Sequence, residues 1–485
     1  MFVILMGGRL YLDYRIEPLI LCSAVIAGFM AWYLRCQWQQ LEEAILNKIN
    51  VAMQGMLIIF SVGCMVGAWM FCGTVPFMVY WGLELVNPNY MLLSAFLICA
   101  LTSCCTGTSW GSAATIGVAM IGIAHGLGIP LAPVAGAALS GCYVGDKLSP
   151  LSDTTNLAPA VAGATTYEHI GHMFYTTIPG TILCCIVFFF ASSSVTGELH
   201  TPAQVQDFMN QLTEIYKLHF LLAVPPLLLI TGSILRWPIL PTIILTTILS
   251  VALGCLLQGF DLRGGILSTT TGFKVSMTHY LATPTESVQT LLNRGGMMGV
   301  LENMGMLCVA MAFGGIMHGS GMLTVVLQKM LKRVRSDGGL IASTLLSCVV
   351  LCFSTGSAYM GILIPGSLFK ESYLKRRLHP KNLSRALEDS ATMLDGAIPW
   401  ASGAVYMSGV LGVSAFEYVP WMVFNYSSVF IGLACAMLGI GIVKISAEDA
   451  KERLEKGHSA KGTSGQEAPK QEKGLLKKAL KLFKK

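Results

Sequence analysis

The chain has 485 residues, of which 54% are hydrophobic, only 12% are charged and 51 are glycine; a soluble domain carries about twice that charge, and the mean hydropathy is +0.63. Such a composition excludes a soluble enzyme, a nucleic-acid binder and a disordered protein, and leaves an all-α polytopic membrane protein. The net charge of +6 belongs to residues 444–485, which hold 12 Lys/Arg against 6 Asp/Glu, so the body is neutral and the basic end is expected on the cytoplasmic, anionic leaflet.

In chain order, the opening MFVILMGGRLYLDYRIEPL has no basic start and no cleavage site, so no signal peptide is expected. Apolar runs long enough to span follow at about Pro18 to Leu34, Met56 to Tyr80, His172 to Val195, Phe220 to Leu235, Pro238 to Leu257, Met297 to Met317, Leu340 to Phe353 and Trp421 to Val443. Residues 91–148 and 355–412 are apolar but studded with Gly, Pro, Ser and Thr. Together these give an expectation of ten to twelve spans, broken ones included. Gln37 to Gln54 and Gly474 to Lys485 read as interfacial helices, the second a basic surface anchor for lipid. Ser446 to Gly474 reads as a disordered linker. A membrane domain over 1–443 and a cytoplasmic tail over 444–485 result.

Two basic clusters, Lys329 to Arg335 and Lys370 to Arg385, are expected on the cytoplasmic side, which requires an even number of crossings between them. The fifteen cysteines lie mostly in apolar runs without any C-x-x-C spacing and read as small hydrophobes. Trp32, Trp38, Trp81, Trp237 and Trp421 fall near span ends, as a membrane-interface belt would.

An internal repeat carries the chemistry. Thr106-Gly107-Thr108-Ser109-Trp110-Gly111 is echoed by Thr355-Gly356-Ser357-Ala358-Tyr359-Met360, 249 positions later, within halves of about 56–195 and 297–443. Each copy precedes acidic residues and a proline-containing polar stretch. The interval to the aspartate reads as 40 residues in the first half (106 to 146) and 34 in the second (355 to 389). Paired, glycine-interrupted apolar segments are the mark of a secondary transporter whose site lies at the midplane. Unwound backbone there frees carbonyls, and Ser/Thr hydroxyls add hard oxygen ligands for an alkali cation. The candidate ligands are Thr106, Thr108, Ser152, Thr154, Thr155, Asn156, Thr355 and Ser357.

Asp146, Asp153, Glu388, Asp389, Asp395 and Glu302 lie in or beside apolar segments, where an ionised group costs at least about 2.5–3.5 kcal/mol. A carboxylate that releases H⁺ to take Na⁺, then the reverse, gives antiport directly. Asp153 is the leading carrier, followed by Asp146 and Asp389, with Glu388 beside them. Against that stand plainer readings: Asp146 pairing with Lys147, and Glu388 and Asp389 at a helix start near Arg385. Glu168-His169 and His172 have metal-ligand spacing but read better as hydrogen-bonded, as do His125 and His318. No cofactor is expected, and no metal beyond a transported ion. Titratable carboxylates at paired breaks fit alternating access better than a channel, and His169 with His172 does not make a catalytic site.

The stretch GCYVGDKLSPLSDTTNLAPAVAG (Gly141 to Gly163), followed by EHIGHMFYTTIPG, closely resembles the signature of NhaC-type sodium/proton antiporters. LSRALEDSATMLDGAIPWASGAVYMSGVLGV (Leu383 to Val413) resembles the matching second-half segment. The resemblance covers about Ile16 to Val443. It implies two inverted repeats with re-entrant hairpins, often a homodimer, in a prokaryotic inner membrane, exchanging Na⁺ for H⁺. The same family includes exchangers of malate and Na⁺ against lactate, and a basic residue deep in the second repeat would favour that anion; none lies between Asp389 and Val443. Two departures stand out. Ala401 and Ser402 replace the family's asparagine and threonine after I-P-W. The segment before Ile16 is also too short for the first span the resemblance implies, from a late start or a missing helix.

Overall fold

The computed structural model describes residue 8 and residues 16–195, 202–280, 282–332 and 334–463. The anchor expected at Gly474 to Lys485, and the segment before Ile16 apart from residue 8, lie outside the described residues. Every regular element among them is helical, and the one β contact is a bridge between Leu378 and Lys444. In order they are α1 (Ile16–Tyr33), α2 (Trp38–Cys72), α3 (Thr74–Leu85), α4 (Met91–Thr106), α5 (Ser109–Leu127), α6 (Leu131–Leu148), α7 (Asp153–Ala162) and α8 (Thr166–Val195). Then come α9 (Pro202–Ile215), α10 (Val224–Ile234), α11 (Ile239–Leu253), α12 (Leu262–Thr271), α13 (Glu286–Leu292), α14 (Leu301–Gly319) and α15 (Met322–Lys332). The last are α16 (Asp337–Thr355), α17 (Ala358–Lys375), α18 (380–395, with a π turn at Glu388–Thr392), α19 (Ser402–Leu411), α20 (Val423–Leu438) and α21 (Ala447–Thr463). Seven helices are long and apolar enough to span alone, or nine if each of two bent pairs counts as one. That is fewer than the ten to twelve expected; the 18-residue α6 and α17 and the ten-residue α7 and α19 fall outside this count.

Two segments depart from the reading of the sequence. Gln37 to Gln54 is not a separate interfacial helix. It continues into α2, whose 35 residues reach about 52 Å, well beyond the apolar thickness of a bilayer. Its outer part is held by α14, where Gly315 and Gly319 let Ala44 and Ile45 approach at backbone distance. Ser446 to Gly474 is not wholly irregular either. Its first part forms α21, which has Glu448 and Asp449 in its first turn and an Asp449–Arg453 pair at 2.9 Å one turn apart, the arrangement the helix dipole favours.

Helices approach closely where glycine lines the seam. A Cβ at Gly141 would strike Phe96 O, and one at Gly145 would strike the Ser103 backbone, so α6 and α4 pack nearly backbone to backbone. Large apolar side chains stay exposed on outward faces, among them Phe190 of α8 and Ile248 of α11, as lipid contact requires. Arg376 donates to Val334 O, Arg335 O and Asp337, and Lys444 pairs with Asp337. The two basic clusters and the start of the tail therefore meet on one side of the molecule, as the even-crossing argument requires.

The helices α4 to α8 and α16 to α20 follow one plan. Gly107 (φ 72°) and Gly356 (φ 61°) end the first helix of each set in the left-handed region, where glycine is unstrained. Thr108 (φ −145°, ψ 125°) and Ser357 (φ −145°, ψ 122°) then extend the chain alike. Gly163 and Gly412 end the two short helices. These pairs share the 249-position offset. In that register Pro150 matches Pro399 and Asp146 matches Asp395. The pairing of Asp146 with Asp389, drawn from unequal intervals, is thereby corrected.

Candidate functional site

Asp146 lies in the last turn of α6 and Asp395 ends α18, each shortly before an irregular turn that leads into a short helix. Asp146 Oδ1 accepts from the backbone N–H of Ser109, the first residue of α5 (3.2 Å), and from Ser152 Oγ (3.3 Å). Asp395 Oδ1 accepts from Ser402 Oγ (3.2 Å), and the backbone N–H groups of Ala358 and Gly403 adjoin its carboxylate. Ser109 and Ala358 are equivalent in the register, so each aspartate satisfies the open N-terminus of the helix that follows the break. The turns close onto the breaks: Ser402 N–H donates to Gly356 O (3.0 Å), and Gly107 lies against Ser149 and Leu151.

Glu388 and Asp389 sit together in the π turn of α18, both fully buried, with different surroundings. Lys147, next to Asp146, crosses from the first half to the second and donates to Asp389 Oδ1 (2.7 Å), Ser428 Oγ (3.1 Å) and Thr176 Oγ1 (3.3 Å). Thr176 also donates to Asp389 Oδ1 (2.8 Å), and Arg385 lies 4.0 Å from Oδ2. Lys147 therefore pairs with Asp389 and not with Asp146, and neither Glu388 nor Asp389 is a helix-start residue. Glu388 has neither oxygen in a hydrogen bond among the described residues. The hydroxyls of Thr154 and Thr392 adjoin it, and Asp146 is within electrostatic reach. Thr392 Oγ1 is itself unpartnered. A buried carboxyl with free lone pairs, two hydroxyls and a second carboxylate is a donor set of hard oxygens, suited to a proton or to an alkali cation.

The other candidates divide. Ser152 and Thr154 join the cluster through a 3.1 Å contact between their hydroxyls. Thr155 donates to Asp146 O, while Asn156 donates to Pro150 O and Ser152 O (both 2.8 Å), so these two brace the turn. Thr106 contacts Ser112 Oγ (3.0 Å), Thr108 accepts from Gly111 N–H, and Thr355 donates to Leu351 O (2.8 Å). Ser357 caps α17 without a side-chain bond to it. Asp153 is exposed in the first turn of α7, and Glu302 is exposed at the start of α14.

His169 contacts Ser384 Oγ (2.9 Å), and His172 lies between Lys381 O (3.1 Å) and Gly441 O (2.6 Å). These are cross-links between the halves, and no group of metal-ligating side chains occurs among the described residues. Residues 107–111 also have G-x-S-x-G spacing, but they form a helix-to-helix break with no preceding strand, and Ser109 N–H is engaged by Asp146.

Two residues escaped the sequence reading. Lys147 appeared only as a neighbour of Asp146; its partner is distant in sequence, and local spacing carries no signal of it. Lys48 is buried on α2, outside both repeats, within electrostatic reach of Cys352 one turn before the second break. No acidic group among the described residues pairs with it. Lys48 is the single basic residue in the 35 residues of α2, and that was the available signal.

Residues 141–440 match the Na⁺/H⁺ antiporter family. A Haemophilus influenzae protein named as an uncharacterized Na⁺/H⁺ antiporter is 40% identical over 446 residues, 92% of this chain and 95% of its own. The Na⁺/H⁺ antiporter NhaC of Alkalihalophilus pseudofirmus is 33% identical, covering 88% of this chain and 91% of its own. The malate-2H⁺/Na⁺-lactate antiporter of Bacillus subtilis is also 33% identical, over 89% of this chain and 90% of its own.

Proposed function

The chain belongs to the Na⁺/H⁺ antiporter family, and from that premise we propose that it exchanges Na⁺ for H⁺ through Glu388 and Asp146 at the junction of its two halves. The observation that carries this reading is the fully buried Glu388 with both oxygens unpartnered beside Thr154, Thr392 and Asp146. A buried carboxylate left bare is several kcal/mol too costly to persist, so it holds either a proton or a cation. The two occupants exclude each other, and that competition couples their fluxes. Asp146 is oriented by two hydrogen bonds and serves as a fixed ligand; Glu388 is free to exchange. Ser152 and Thr154 supply neutral oxygens. Lys147 and Asp389 hold the two carboxylate-bearing segments side by side, since Lys147 neighbours Asp146 and Asp389 neighbours Glu388.

The protein works in the cytoplasmic membrane, with the basic clusters and the tail on the cytoplasmic side. A second reading, exchange of a small carboxylate, gains support from buried Lys48 near the second break and from the equal likeness to the malate/lactate relative. Proteoliposomes with a trapped pH dye, given Na⁺, Li⁺, K⁺, malate or lactate separately, distinguish the readings. Alkali-cation-driven proton movement without added carboxylate supports the first. Proton movement that requires malate or lactate supports the second and overturns the first.

A further inference from the structure

The short helix α7 is exposed along one face. Asp153, Asn156, Ala160 and Gly163 recur at helical spacing and are all exposed, while Thr155, Ala158, Pro159 and Ala162 are buried. Where other helices meet lipid they present large apolar side chains such as Phe190 and Ile248; this face has an acid, an amide and two of the smallest residues. Its depth is fixed by its far end, where Lys370 Nζ donates to Val161 O and Arg453 Nη1 donates to Gly163 O (both 3.2 Å). Those cations belong to the basic side of the molecule. The ten residues of α7 carry Asp153 about 15 Å inward from it. A carboxylate facing hydrocarbon at that depth is strongly disfavoured, so the exposed face borders water.

The inner end of this face reaches the exchange site. Asp153 stands between Ser152, whose hydroxyl bonds Asp146, and Thr154, whose hydroxyl adjoins the unpartnered Glu388. Tyr359, near the start of α17, is 45% exposed and within electrostatic reach of Asp153, Asp146 and Asp395. Its counterpart in the 249-position register, Trp110, is covered: its ring stacks on Tyr406 at 4.1 Å, and Tyr406 Oη donates to Trp110 O (2.9 Å). The same position is thus closed over in one half and open in the other. We propose that the exposed face of α7 lines a water-filled inlet from the cytoplasmic side, and that Asp153 at its inner end captures a hydrated alkali cation and passes it to Glu388. The outer rim is basic but held, since Lys370 and Arg453 are turned onto the backbone carbonyls of α7 and its end, and Arg453 also pairs with Asp449 (2.9 Å). The inward carboxylate then draws the cation past that rim by its field.

The inference rests on the Na⁺/H⁺ reading, and two measurements keep the failures apart. Full-length protein is expressed in membrane vesicles of both orientations, and Na⁺-driven proton movement is followed with a pH dye. In everted vesicles, which take Na⁺ from the cytoplasmic face, Asp153→Asn should raise half-saturating Na⁺ roughly two- to fivefold, the worth of one exposed charge, with the maximal rate kept. Asp153→Glu should restore the wild-type value, and right-side-out vesicles should show no such rise. An unchanged half-saturation in everted vesicles, or an equal rise in both orientations, overturns the capture role. The second measurement needs no transport. Ala160→Cys should be labelled by a membrane-impermeant maleimide from the cytoplasmic face, read by mass spectrometry on its own peptide. No labelling there, or labelling only by a lipid-soluble reagent, overturns the inlet even where exchange is intact. A wild type without Na⁺-driven proton flux defeats the exchange reading and the capture role with it; labelled Ala160→Cys would then show that the chemistry failed and the inlet did not.

Discussion

The two broken-helix halves share a skeleton and differ in chemistry. Both have a left-handed glycine, an extended hydroxyl residue, an aspartate, a proline-containing turn and a short helix ended by glycine. Those shared residues are the ones that break helices and satisfy their exposed ends within a membrane. The differing residues are the reactive ones. Glu388 and Asp389 stand where the first half has Leu139 and Ser140, and Lys147 stands where the second has Gly396. The repeat thus builds two similar frames, and the unmatched charges make one composite site across them.

The largest effect should come from removing an unmatched charge. Glu388→Gln keeps size and removes the exchangeable charge, so Na⁺-driven proton movement should fall to background while the protein still elutes as a single folded species. Persistence of wild-type exchange would reduce Glu388 to a buried structural acid.

Next in size is the cross-half pair. Lys147→Met leaves buried Asp389 with only Thr176 and the longer, 4.0 Å contact to Arg385, which should cost up to about 3–5 kcal/mol of stability, read as a lower melting temperature in detergent. Lys147→Met with Asp389→Leu should recover much of that loss and restore measurable exchange. A double variant that is stable yet inactive would instead make Asp389 an ion ligand.

Asp153 tests whether exposure matters more than motif. It lies in the most distinctive stretch of the sequence, but it is an exposed acid in the first turn of α7. A charge placed there is worth about 0.3–1 kcal/mol through the helix dipole. Asp153→Asn should therefore retain exchange, with half-maximal Na⁺ moved by less than tenfold. Abolished exchange in folded protein would return Asp153 to the centre of the mechanism.

The smallest effect restores symmetry. Ala401 precedes α19 with no side-chain cap, where the first half has Ser152 bonded to Asp146. Ala401→Ser should add about 1 kcal/mol of stability through a hydroxyl reaching Asp395, seen as a small rise in melting temperature. No rise would mean that position 401 does not point its side chain at Asp395.

These comparisons also show what the sequence could carry. The TG breaks, the S-P-L-S-D stretch and the clustered carboxylates were legible because glycine, proline and charge in an apolar run each have a local physical cost. The register was not, since the conspicuous Glu388-Asp389 pair drew attention from Asp395, which occupies the equivalent place. The partners of Lys147 lie in α8, α18 and α20, and only packing brings them together. Helix α21 was read as linker because its polar composition hides i,i+4 pairing such as Asp449–Arg453. Asp153 ranked first because the sequence reveals motif membership but not which side of a helix end faces inward.

The central claim is that Na⁺ and H⁺ compete for Glu388. The most direct measurement is titration calorimetry of Na⁺ into purified protein in buffers of different ionisation enthalpy, which counts protons released per Na⁺ bound. Wild-type protein should release protons on binding, and Glu388→Gln should release at least one fewer or fail to bind. Sodium binding with no proton release, or with equal release from both proteins, would contradict the account.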